Sequence, residues 1–164
     1  MNTKTEQIIW GLLRISLGWI FLWAFFDKLF GLGFTTLPEN AWLSGGSPTL
    51  GFLKFATKGP FAEIFQGMAG SALVDWLFMS GLLLIGAALM LGIMVRLASL
   101  GGMTMLVLMY LAGFIPPEHN PLIDDHIIYA IVLILFLFIP VGEWLGFGRK
   151  WARTNLVENI SWLR

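Results

Sequence analysis

Three stretches of the chain are apolar for so long that no face is left for water. The first runs from about Ile8 to Phe30 and carries Arg14, Asp27 and Lys28. The second, from about Val74 to Val95, has Asp75 at its start and no charge after it until the region of Arg96. The third, from about Leu97 to Phe114, has no charge. A bilayer core about 30 Å thick is crossed by about 20 helical residues rising 1.5 Å each, so each stretch predicts a transmembrane helix. A fourth apolar run, Ile127 to Ile139, holds only 13 residues before Pro140. It must recruit neighbours to cross: Asp124, Asp125 and His126 upstream, or Val141 to Phe147, with Glu143, downstream. The pattern predicts an all-α integral membrane protein, a single membrane domain over 1–164. Its helices are expected at about 8–30, 74–95, 97–114 and 122–141, as a four-helix bundle with a long outer loop at 31–73 and a tail at 146–164.

Composition removes the main rivals. Hydrophobic residues make up 57% of the chain and charged residues 12%, with a mean hydropathy of +0.80. Soluble domains carry about 25% charged residues, so too little polar surface exists here to face water. Fourteen Phe and eight Trp exclude a disordered chain. Ten basic residues balance ten acidic ones, which gives no attraction to nucleic acid. The absence of cysteine excludes thiolate nucleophiles, iron–sulfur ligation and c-type haem attachment on this chain.

The first apolar run is too long for a cleavable signal peptide and no A-x-A site follows it, so it is expected to stay as a signal anchor. Seven basic residues (Lys4, Arg14, Arg96, Arg149, Lys150, Arg153, Arg164) fall on one side of a four-helix arrangement, and three (Lys28, Lys54, Lys58) on the other. That bias puts both termini in the cytoplasm of a multi-pass protein of the cell membrane, inner or plasma. The second and third helices must form a tight hairpin around Arg96. Ala88, Gly92, Ala98 and Gly102 flank that turn at a spacing that lets backbones approach. In the outer loop, Phe61, Ile64, Phe65 and Met68 repeat as one face of a short interfacial helix after Gly59-Pro60, and Leu50 to Ala56 suit another short turn. Trp144, Trp151 and Trp162 among tail cations read as an interface anchor.

Charges at membrane depth are costly and tend to be functional. Arg14 either snorkels to headgroups or is buried in the bundle in a pairing or anion-binding role. Asp27 and Lys28 lie about 20 Å further along the helix, at its outer end. Asp124, Asp125 and His126 suit the start of a helix, or they form with Asp27 and Lys28 a polar outer mouth in which carboxylates and an imidazole move protons. Trp19 and Trp23 offer a flat wall for a quinone ring or for lipid. His119 and His126 share one loop and do not make a haem pair, and a metal site built from them and nearby acids is the weaker reading, so neither haem nor metal is expected.

Several of these segments occur together in one family. Arg14-x3-Gly18 followed by Asp27-Lys28-Leu29, the Ser47-Pro48-Thr49-x-Gly51-Phe52-Leu53 stretch with Gly59-Pro60-Phe61, Val74-Asp75-Trp76, and Asn120-Pro121 with Asp124-Asp125-His126 resemble the DoxX/DoxD-like membrane family over nearly the whole chain. The resemblance is closest to the DoxD branch, the membrane subunit of thiosulfate:quinone oxidoreductase. It implies a four-helix bundle that passes electrons from thiosulfate or another sulfur donor to the quinone pool beside a second, smaller subunit. On that reading Asp27, Asp124, Asp125 and His126 carry the proton chemistry, and Lys28, Trp19, Trp23 and Arg14 bind the quinone. The rival expectations are a small-solute carrier or channel, for which four helices are few unless copies form a homo-oligomer, and a non-catalytic assembly subunit.

Overall fold

The computed structural model describes residues 3–113, 115, 117 and 121–163. Every regular element among the described residues is helical. Helix α1 spans Lys4–Phe30, α2 Ala62–Gln66, α3 Ala72–Leu91, α4 Val95–Gly113, α5 Asp125–Phe138, α6 Gly148–Trp151 and α7 Asn155–Asn159. Helices α1, α3 and α4 are long and apolar enough to cross a membrane, and α5 is a shorter apolar helix.

The boundaries follow from local chemistry. Thr3 and Glu6 form a reciprocal capping box at the start of α1, with Glu6 N donating to Thr3 Oγ1 at 3.2 Å and Thr3 N to Glu6 Oε2 at 2.8 Å. Gly31 ends α1 in the left-handed region at φ +66°. The turn between α3 and α4 lies earlier than expected, at 92–94 and not around Arg96. Gly92 takes φ +75° and its N–H returns to Ala88 O at 2.9 Å, so α3 stops there and Arg96 falls in the first turn of α4. Helix α5 starts one residue after Asp124, whose carboxylate accepts from Ile127 N at 3.2 Å as its N-cap. It ends at Phe138, ahead of Pro140, so it covers less than the expected 122–141. The third span's expected last residue, Phe114, lies outside the described residues.

The four long helices alternate in direction. The N-terminal half of α1, the end of α3, the start of α4 and the end of α5 meet at one end, which also carries both termini. The other end carries the 31–71 loop. The most extensive packing joins α1 to α3 and α4 to α5, and α3 against α4 links the two pairs. Leu17, Phe21 and Phe25 of α1 meet Met79, Leu82, Ile85 and Leu89 of α3, and Leu106 of α4 and Leu133 and Phe136 of α5 complete one core. Outward positions are apolar as well: Leu84 is 67% exposed and Phe138 78%. Apolar side chains inside and outside are what a bilayer, not water, accommodates.

Helices α1 and α3 approach each other closely at their backbones. A Cβ at Gly18 would stand 2.8 Å from Met90 N, and one at Gly86 2.8 Å from Leu22 N. The expected small-residue seam across the α3–α4 hairpin is used in part. Gly102 faces Ile85 of α3 and also makes room for Leu133 and Phe21, while Gly92 caps α3. The 31–71 loop folds as short turns (Pro38–Asn40, Trp42–Ser44, Phe52–Ala56) and α2, pinned to α4 by Lys58 N donating to Ala112 O at 3.0 Å.

The Gly18 crossing gives a direct test. Gly18→Ala should destabilise the protein by about 1–3 kcal/mol through overpacking against backbone that cannot move aside. Gly51→Ala, at a position with nothing within 4 Å of the new Cβ, should change stability by less than about 0.5 kcal/mol. Thermal unfolding in detergent compares the two.

Candidate functional site

Arg14 is completely buried, and it binds backbone. Its Nε donates to Val141 O at 3.2 Å, one Nη to Leu89 O and to Met90 O at 3.1 Å, and the other to Trp144 O at 2.9 Å and Leu145 O at 3.0 Å. A guanidinium has five N–H donors, and each has an acceptor. The side chain is therefore directed into the bundle and spent on backbone carbonyls, and Arg14 does not line either cavity described below. Leu89 and Met90 carry carbonyls of the last turn of α3, where a cation is favoured by the helix dipole. Val141, Trp144 and Leu145 belong to the irregular segment after α5. The nest is tight: a Cβ at Gly146 would lie 2.9 Å from the Arg14 Nη2, and Leu145 holds φ +53°.

At the loop end the signs reverse. Asp27 is 1% exposed. Its Oδ1 accepts from Phe34 N at 3.2 Å, and its Oδ2 accepts from Thr35 N at 3.0 Å and Thr35 Oγ1 at 2.6 Å. The carboxylate thus folds the chain after Gly31 back over the end of α1. That fold-back makes a cavity of about 310 Å³ lined by Trp19, Ile20, Trp23, Ala24, Asp27, Lys28, Phe34 and Thr35. Trp19 and Trp23 have ring centroids 5.7 Å apart, and Phe34 stands edge-on to Trp23 at 4.9 Å and 86°. Lys28 Nζ lies 3.4 Å from Thr35 Oγ1, at the polar end of an otherwise aromatic wall.

Four of the expected residues, Trp19, Trp23, Asp27 and Lys28, are thus brought together. Phe34 and Thr35 complete the cavity and were not foreseen. Asp124, Asp125 and His126 are not among its lining residues, so the expected single outer mouth divides into two sites. The reason is packing: α1 pairs with α3 and α5 with α4, and Trp19 looks away from the face that buries Phe21.

The α5 cluster has its own geometry. His126 Nδ1 lies 2.8 Å from Asp124 Oδ2 and 3.4 Å from Asp125 Oδ1. Facing two carboxylates, Nδ1 serves as a donor. Asp125 is exposed, whereas Asp124 and His126 are largely covered. One ligand atom from each of the three lies within 4.8 Å of the others, although Asp124 is already spent on the cap of α5 and on His126. His119, offered by the sequence as a further metal ligand, lies outside the described residues.

A further carboxylate escaped attention as a site residue. Asp75 is 7% exposed, and its Oδ1 accepts from Ser47 Oγ at 2.9 Å, Thr49 N at 3.2 Å and Thr49 Oγ1 at 2.6 Å. The Ser47-Pro48-Thr49 and Val74-Asp75-Trp76 segments are therefore one structural unit. The signal was an acid in the first turn of an apolar helix, where a lone charge needs donors.

Compared with protein-family models, curated proteins and solved structures, the chain matches none.

The Arg14 nest predicts an asymmetry between two substitutions. Arg14→Lys keeps the charge but offers three donors in place of five, so at least one carbonyl loses its only donor, at about 1–3 kcal/mol. Arg14→Met removes all five hydrogen bonds and leaves a backbone donor only at Val141 O, from Trp144 N at 3.3 Å, and folded protein should be lost. Thermal unfolding and the yield of monodisperse protein in detergent measure both; a Lys variant as stable as the parent overturns the assignment.

Proposed function

We propose that this chain is the membrane subunit of a quinone-linked oxidoreductase of the DoxX/DoxD-like kind, binding the quinone ring in the Trp19–Trp23–Phe34 cavity. The observation that carries the reading is the composition of that cavity. Pockets for small organic ligands are mostly apolar with a few convergent polar groups, and here an aromatic wall ends in one ammonium and one hydroxyl. A quinone is a flat ring with carbonyl oxygens at opposite edges. The ring suits the indoles, and a carbonyl suits Lys28 Nζ as donor, since the Thr35 hydroxyl proton is given to Asp27. The cavity's volume is enough for the ring, while an isoprenoid tail would leave past Trp19 and Ile20, which are 49% and 43% exposed.

The residues have distinct tasks. Trp19, Trp23 and Phe34 hold the ring. Lys28 favours a carbonyl oxygen as negative charge builds on it. Asp27 positions Thr35 and Phe34 through its three hydrogen bonds. Reduction of a quinone to a quinol consumes two electrons and two protons. The protons enter from the surroundings at the loop end, where Asp125 and His126 form a site separate from the cavity and would act on them only as a relay. The electrons come from a sulfur donor such as thiosulfate, handled on a second subunit, since this chain has no cysteine.

The topology fits a four-span protein with both termini in the cytoplasm. Helix α5 is about 21 Å long at 1.5 Å per residue, short of a 30 Å core. Three extended residues add about 10 Å, and Leu122, Ile123 and Ile139 to Val141 supply apolar extensions at its two ends. Irregular backbone at that depth is tolerated only where protein satisfies it, which Arg14 does for Val141. A solute path leading from Arg14 is disfavoured, because all five of its N–H groups are engaged.

Thiosulfate-dependent quinone reduction by protein purified from its native membranes in mild detergent, with partners retained, tests the reading. Lys28→Met and Trp23→Ala should each lower turnover about tenfold or more, on the scale of one lost electrostatic or stacking contact. Loss in Asp125→Asn or His126→Ala with Lys28→Met unaffected would move the site to the start of α5. Full activity in all four variants would overturn the oxidoreductase site altogether.

A further inference from the structure

The end that carries the termini has a second cavity, of about 300 Å³, lined by Arg96, Leu100, Leu137, Phe138 and Trp162. It lies where the first turns of α4, the last turn of α5 and the terminal Ser161–Leu163 turn meet. Four of its five lining residues are apolar, and Phe138 and Trp162 are 78% and 45% exposed, so it opens sideways to the surroundings of the helices. Arg96 is half-buried in it. Among the described residues the ion pairs are those of His126 with Asp124 and Asp125, and no side-chain hydrogen bond joins the Arg96 guanidinium to a described residue. Arg149, Lys150 and Arg153 lie along the same end, exposed.

A half-buried guanidinium without a carboxylate partner is costly unless something outside the chain supplies the anion. Phosphate matches its forked donors, and Arg presents them in two parallel pairs. The apolar remainder of the cavity follows Leu100, Leu137 and Phe138, which point into the layer where acyl chains lie. Trp162 stands at the boundary, where an indole is at home. Its position is fixed from within the tail: Trp151 Nε1 donates to Leu163 O at 2.7 Å, so the last turn is held against α4 as one wall of the groove.

We infer that this groove binds one anionic phospholipid, its phosphate on Arg96 and an acyl chain along Leu100, Leu137 and Phe138, with Trp162 as the lid of the headgroup region. The site rests on the membrane reading of the helices and not on the quinone cavity, which lies at the opposite end. The bound lipid also has a structural consequence. It joins α4 and α5 to the C-terminal turn, so it stabilises the fold where the tail meets the bundle.

The test is the thermal unfolding of delipidated, detergent-purified protein titrated with phosphatidylglycerol, with phosphatidylcholine and with soluble glycerol phosphate. Phosphatidylglycerol should raise the midpoint saturably, and the other two should not, since one lacks net charge and the other lacks the chain. Arg96→Gln should weaken the apparent affinity about fivefold or more, on the scale of one Lys or Arg contact with anionic lipid. Lys150→Gln, in the same exposed basic belt but outside the groove, should leave it unchanged. If Arg96→Gln itself fails to fold, Leu100→Trp, which fills the groove and keeps the charge, should abolish the shift. An equal shift in Arg96→Gln and parent, or equal loss in Lys150→Gln, overturns a specific site in favour of diffuse attraction. A shift with glycerol phosphate alone overturns the lipid as occupant and leaves a phosphate site.

Discussion

A guanidinium removed from water must find an acceptor for each of its N–H groups, and backbone carbonyls removed from water must find donors. Arg14 satisfies both demands in one place. It closes the C-terminal end of α3 and gives donors to Val141, Trp144 and Leu145, a segment that is not an α-helix and satisfies itself only in part, through the turn bonds of Val141–Glu143. Much of the rest depends on this. Because the carbonyls of Val141, Trp144 and Leu145 are held by Arg14, α5 can end at Phe138 and give way to non-α backbone. Because α1 must deliver the guanidinium to the end of α3, the two helices cross closely, and Gly18 and Gly86 are small for that reason.

The loop end solves the mirror problem. There the orphan groups are N–H and O–H donors of loops, and the solutions are carboxylates. Asp27 gathers Phe34 and Thr35, Asp75 gathers Ser47 and Thr49, and Asp124 caps α5. Two of the three stand at helix N-termini, where the dipole favours an anion. Asp27 stands at a C-terminus, against the dipole, and its three hydrogen bonds offset that cost. This is also the carboxylate beside the aromatic cavity. A residue held against the local field by a short loop fixes that loop's geometry, so the wall formed by Phe34 and Thr35 is preorganised rather than recruited.

How much of this could be read from the chain alone follows from range. Three of the long apolar helices were legible because each is a run of residues with few charges. The gathering of Trp19, Trp23, Asp27 and Lys28 was legible because all four sit on one helix at spacings that share a side. Phe34 and Thr35 were not, because their place depends on Gly31 reversing the chain and on Asp27 receiving it. The partners of Arg14 were not legible for a deeper reason: they are carbonyls, which every residue carries, so no side-chain pattern announces them. The separation of Asp124, Asp125 and His126 from the cavity was hidden because membership of one end of a bundle does not say which helices are neighbours.

The acceptors of Arg14 also set an order of events during synthesis. Leu89 and Met90 follow it by 75 and 76 residues, and Trp144 and Leu145 by 130 and 131. The first helix is therefore made with a charge whose partners do not yet exist. It acquires two of them when α3 is made and the rest only after α5. Until then its guanidinium lacks its acceptors, so an unfinished copy carries an unsatisfied charge in its first helix.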